Sequence, residues 1–133
     1  MRNSITLTLF AAICIIFAAC NPYTTWEKTL INDSSKNVIL YASDSGGGFT
    51  FTDSVIIAPN TSMVIYSFGD VTKSDVAECD LYISRLTLDT DTGFVITKNI
   101  QDAANWESAT KEADQGFDNT CTFTVTEADI SIE

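Results

Sequence analysis

From Thr24 onward, apolar positions return at every second residue in short runs divided by polar clusters, the period of half-buried β-strands. The cleanest run is Thr120–Thr126, which sets Cys121, Phe123 and Val125 on one face and four threonines on the other. Val38-Ile39-Leu40-Tyr41 and Ser62–Phe68 are β-branched and aromatic runs suited to buried strands. Phe49–Thr52 alternates and leads into Ser54-Val55-Ile56-Ile57, and Leu81–Leu88 alternates likewise. Phe94–Lys98 follows the turn signal Asp89-Thr90-Asp91-Thr92-Gly93. In Trp26–Ile31 the alternation is imperfect: Trp26, Lys28 and Leu30 share a face, and Trp26 is expected to pack between sheets. The polar cluster Asn32–Asn37 is predicted to fold this run back onto Val38–Tyr41 as a hairpin. Ala58-Pro59-Asn60-Thr61 is a second turn, with Pro59 fixing φ. Two stretches, 70–78 and 102–110, are predicted as short helical turns. Residues 99–118 carry the weakest strand signals, with Trp106 and Phe117 as isolated apolar anchors. About seven short strands at roughly ten-residue spacing predict an all-β fold, one antiparallel β-sandwich over residues 26–133.

The first twenty residues follow another pattern. Arg2 precedes a charge-free apolar run, Ile5–Ala19, too short for a membrane span of about 20 apolar residues. A cationic start, a short apolar core and small closing residues make a secretory signal over 1–19. Its ending, Phe17-Ala18-Ala19-Cys20, resembles the lipobox of bacterial lipoproteins, with Phe17 where Leu is usual. The resemblance implies cleavage before Cys20, acylation of its thiol, and a lipidated tether over 20–25. Several acyl chains at one residue exceed what stable anchoring to a membrane requires. Cys14 lies within the apolar core and lacks the flanking small residues of an acceptor.

Composition then narrows the chemistry. The chain carries 18 acidic and 7 basic residues, and losing Arg2 with the signal takes the net charge from −11 to near −12. That balance argues against nucleic acid as a partner and against a grip on anionic head groups. Histidine is absent, which removes the usual general base at neutral pH and the commonest metal ligand. Cys79 and Cys121 are the cysteines left in the folded part, and an exported pair is read as a disulfide. Closing a loop of about 40 residues would add roughly 3–4 kcal/mol in the chain-entropy account.

The chain after Cys20 also resembles small lipoproteins of the Bacteroidetes. The residues that carry the likeness are Ile31-Asn32-Asp33-Ser34-Ser35, the Pro-Asn turn Ile56-Ile57-Ala58-Pro59-Asn60-Thr61-Ser62, and the ending Phe123-Thr124-Val125-Thr126-Glu127-Ala128-Asp129. The resemblance implies an immunoglobulin-like sandwich and no particular activity. Surface-exported lipoproteins of that phylum often carry acidic residues after the cysteine. Asn21-Pro22-Tyr23 does not, which favours the periplasmic face of the outer membrane over the cell surface.

Candidate sites each compete with a plainer reading. Asp89-x-Asp91-x-Gly93 opens like a calcium loop, but the third ligand and the closing Glu are missing, and a hairpin turn needs the same residues. Gly46-Gly47-Gly48 precedes a strand rather than a helix and reads as a flexible loop rather than a phosphate cradle. Trp106, with Phe117, Tyr82 and Phe49, could line a platform for sugar rings; aromatics in a small sandwich are more often core. Glu107 with Glu112 and Asp114 with Asp118 are spaced like exposed helix charges, whereas glycoside hydrolysis needs two carboxylates facing one cleft. Asp53-Ser54-Val55 resembles a short O-glycosylation acceptor of the same phylum. The sequence thus points to a non-enzymatic, lipid-anchored envelope module without a cofactor, binding another protein or a glycan through loops or a sheet edge. An accessory carbohydrate-binding module for glycan uptake is the alternative, and a small acid-residue hydrolase a more distant one.

Overall fold

The computed structural model describes residues 22–43, 47–90 and 93–132. Nine strands form among them: β1 (Thr24–Asp33), β2 (Val38–Ala42), β3 (Ser54–Ile57), β4 (Thr61–Asp70), β5 (Leu86–Thr90), β6 (Phe94–Ile96), β7 (Glu107–Ala113), β8 (Gly116–Thr126) and β9 (Ile130–Ile132). They build a four-stranded sheet in the order β4-β1-β8-β7, a three-stranded sheet β3-β2-β5, and the pair β6-β9. Every pairing is antiparallel except β1 with β8, which run parallel. The fold is the expected all-β sandwich, with about nine strands in place of seven.

The alternation that predicts β8 is borne out: Cys121, Phe123 and Val125 are buried, and the intervening threonines line the other face. On β1 the inward set is Thr24, Lys28, Leu30 and Asn32, all buried. Leu30, Phe123 and Val125 pack in one core with Val38 and Leu40 of β2, Ile57 of β3 and Leu86 of β5. On β4 two neighbours, Ile65 and Tyr66, are both buried. A register shift opposite Lys28 and Thr29 leaves Ile65 as the extra residue of a β-bulge, which explains the broken alternation.

Four local expectations are corrected. β1 and β2 form no hairpin; they lie in different sheets, and Asn32–Asn37 carries the chain across the sandwich. Phe49–Thr52 is not a strand: Phe49 makes a single bridge to Tyr66, and Asp53, at φ 61°, turns the chain into β3. Residues 71–78 hold no helical turn. A 3-10 turn at Ile83–Arg85, entered through Tyr82 at φ 62°, interrupts the alternation predicted over Leu81–Leu88. In 102–110 one 3-10 turn, Ala103–Asn105, is present, capped by the Asp102 carboxylate accepting from the Ala104 N–H. The rest of that stretch enters β7, whose residues are almost all exposed, so no apolar period marked it.

Asn32 explains why the crossing between sheets holds its course. It is fully buried, and its amide donates to the Lys36 and Ile57 carbonyls at 2.7 and 2.8 Å. Its oxygen accepts from the Ser34 N–H at 3.2 Å and the Ser34 hydroxyl at 2.6 Å. Both donors and both lone pairs are therefore satisfied, tying the end of β1 to the crossing and to the end of β3. Replacing it by Ala strands two carbonyls and the Ser34 groups in the core. We expect Asn32→Ala to cost about 2–3 kcal/mol, read as a lower urea midpoint with unchanged slope.

Candidate functional site

β1 and β8 are 10 and 11 residues long, whereas the facing strands have at most 5. The small sheet covers the half of the large sheet near Asn32, since Ile57 and Val38 pair there. The half near Thr24 needs another cover, and residues 72–79 supply it. Thr24 Oγ1 donates to the Thr72 carbonyl at 2.6 Å and accepts from the Ser74 N–H at 3.3 Å. Asn119 Nδ2 donates to the Ser74 carbonyl at 3.0 Å, Trp26 Nε1 to Val76 at 3.2 Å, and Lys28 Nζ to Glu78 at 3.0 Å. Donors two residues apart on β1 thus engage alternate carbonyls of a strap laid against the sheet. A disulfide from Cys79 to Cys121, with Cα atoms 5.6 Å apart, fixes its far end.

Lys28 is the unusual member of this set. It is 2% exposed, between Tyr66 and Cys121 in the sheet register, with its amine 5.1 Å from the Tyr66 ring centre. Burial lowers its pKa to about 8, against the opposing pull of the Asp80 and Glu78 carboxylates. Burial also raises the Tyr66 hydroxyl, helped by Tyr82 and Glu78.

Beside the strap lies an aromatic depression. Trp26 and Phe68 are partners across β1 and β4, with ring centres 5.9 Å apart and planes at 34°. Asp70, Thr72, Ser74, Glu78 and Leu81 complete a groove of about 260 Å³. Phe68 is 44% exposed, and Trp26 is half-buried rather than enclosed between the sheets as expected. Aromatic faces beside hydroxyls and carboxylates can stack on an apolar ring face and accept hydrogen bonds from its hydroxyls.

The residues singled out in the sequence fall elsewhere. Trp106 is buried, packs 5.3 Å from Phe123 and donates its Nε1–H to the Ile100 carbonyl at 2.8 Å, so it is a core residue and offers no face to a sugar. Phe49 and Tyr82 are half-buried, each with its ring centre 5.7 Å from that of Tyr66. Phe117 lies under the Lys73 amine at 5.4 Å. The four aromatics do not share one platform. Asp89 is exposed and accepts from the Thr90 N–H at 2.7 Å; Asp91 lies outside the described residues, as do Cys20 and Gly46. Among the described residues no group of three His, Cys, Asp or Glu is placed to hold a metal ion.

Glu107 and Glu112 stand on a strand rather than a helix, five residues apart and hence on opposite faces. Asp118 accepts from the Thr25 hydroxyl at 2.7 Å, away from Asp114 in the turn between β7 and β8. Ser54 is exposed at the start of β3. Gly48, at φ 103°, gives its carbonyl to the Ser67 N–H and lines the outer edge of β4.

Comparison with protein families, with curated proteins and with solved structures finds no match to this chain.

The buried amine generates a pH signature. Its folded pKa, about 8, lies below the ordinary 10.5, so between these values the unfolded chain binds more protons and stability rises with pH. The raised Tyr66 hydroxyl opposes this only above the ordinary tyrosine value of 10. We expect denaturant stability to increase by on the order of 1–2 kcal/mol between about pH 8 and 10, and Lys28→Met to flatten that rise.

Proposed function

We propose that this protein is a lipid-anchored, acidic module of the bacterial cell envelope that binds another envelope protein or a glycan without catalysing a reaction. The observation that carries the reading is the spacing at the N-terminus. Cys20, preceded by Phe17-Ala18-Ala19 and a charge-free apolar run, stands three residues before Tyr23, whose N–H already bonds to the Gln115 carbonyl of the sandwich. A signal that ends on an acceptor cysteine therefore opens directly into a folded domain. The expected tether of 20–25 shortens accordingly, because β1 begins at Thr24. The domain is assigned to the outer membrane, on its periplasmic face. In cells fed labelled palmitate, wild-type protein takes up label and Cys20→Ala does not; equal labelling would remove the anchor.

The glycan reading is favoured by one observation, the groove of Trp26 and Phe68 with Asp70 and Glu78 on its rim. On a glycan array, the detergent-solubilised full chain is expected to retain a neutral sugar, with the signal lost in Trp26→Ala and kept in Tyr41→Ala, an exposed aromatic on β2. Retention of the same sugar by Trp26→Ala would place the site elsewhere.

A further inference from the structure

We infer that the Thr24 end of the sandwich is a lipid-contact surface, in which Tyr23 and Val71 rest at the interface of a zwitterionic bilayer; this rests on Cys20 being the anchor. The starting point is how firmly Tyr23 is seated. Its N–H donates to the Gln115 carbonyl at 2.9 Å. Its backbone crosses Gly116 and its ring lies over Gly69, both so closely that a Cβ at either glycine would collide with it. The chain is thus fixed to the sandwich from Tyr23 onward. Tyr23 stands three residues after Cys20, and even fully extended those three steps reach only about 10 Å. Head groups on one side of a bilayer occupy roughly 5–8 Å outside the hydrocarbon. A cysteine whose acyl chains enter the hydrocarbon therefore keeps this end of the domain within a few ångströms of the head groups.

The surface found at that end suits such a position. Tyr23 is 52% exposed and Val71 64%, at the end where β1 begins and β4 ends. Tyrosine favours the membrane interface, where its ring meets acyl chains and its hydroxyl meets water. The charges nearby are mostly acidic, Asp70, Glu112 and Asp114 against Lys73, so the matching lipid is zwitterionic rather than anionic. The opposite end, around Asn32 and Ile57, is separated from the lipid by the length of β1.

The test uses the full acylated chain in phosphatidylcholine vesicles containing lipid brominated on its acyl chains. Trp26→Phe removes one tryptophan and leaves buried Trp106 as an internal check that the domain is folded. A single reporter is then added, either Tyr23→Trp at the proposed contact or Ile56→Trp on the exposed face of β3. The expected result is quenching of the Tyr23→Trp reporter at least about twice that of the Ile56→Trp reporter. Equal quenching in protein shown by mass spectrometry to be acylated overturns the contact surface and leaves the anchor standing. Quenching that grows as anionic lipid is added overturns the zwitterionic assignment. Absence of acylation at Cys20 overturns the anchor reading and the contact surface with it.

Discussion

The structure depends on a mismatch of length between its two sheets. β1 and β8 run twice as far as any strand of β3-β2-β5, so half of the large sheet's inner face lies beyond the small sheet's reach. A third sheet layer could have covered it with apolar side chains. The chain instead lays an irregular strap there, and an irregular backbone brings carbonyls that must find donors. Thr24, Trp26, Lys28 and Asn119 are those donors. This accounts for polar residues at inward positions in one half of β1 and Leu30 in the other. The Cys79–Cys121 bond closes the arrangement by holding the strap where the donors can reach it.

Among these donors Lys28 is the costly one. Burying an ammonium group carries a penalty of several kcal/mol, offset here by the Glu78 carbonyl, the face of Tyr66 and two nearby carboxylates. A methionine would fill the same volume but leave the Glu78 carbonyl unpaired. The lysine is best understood as fixing the register of the strap, because only a long side chain from the centre of β1 reaches the carbonyl beside Cys79. The strap's register in turn sets the groove, since Thr72, Ser74 and Glu78 line it together with Trp26 and Phe68.

Much of the fold was legible because its strands are half-buried, and half-burial writes a period of two. β8, and the shared face of Lys28 and Leu30 on β1, read correctly for that reason. β7 was invisible: Glu107–Ala113 is an edge strand with nearly every residue exposed, so no periodicity distinguishes it from a loop. The pairing of β1 was also hidden, because a polar turn such as Asn32–Asn37 serves a hairpin and a sheet crossing equally well. What decides is whether Asn32 faces water or the core, a tertiary fact. The two tryptophans were harder to place for a related cause. Trp106 sits in a stretch without pattern, so sugar platform and core both stood open, and Phe123 and the Ile100 carbonyl decide for core by enclosing it. Trp26 sits in a patterned strand and looked like core, yet lies at the end the small sheet does not cover. Strand position predicts face well and distance from the sheet's end poorly.

The uncovered end and the proposed anchor meet at the same place. The aromatic groove, the strap and Tyr23 all belong to the half of the sandwich that begins three residues after Cys20. A membrane held against that end, as proposed, would keep the groove close to the bilayer surface. Ligands that are themselves confined to the membrane surface, whether envelope proteins or lipid-linked glycans, would then meet the groove at high local concentration, and weak stacking by two aromatic rings would suffice. The acidic rim works in the same direction: Asp70 and Glu78 disfavour anionic ligands, so a neutral sugar or a basic loop is the chemistry that this position admits.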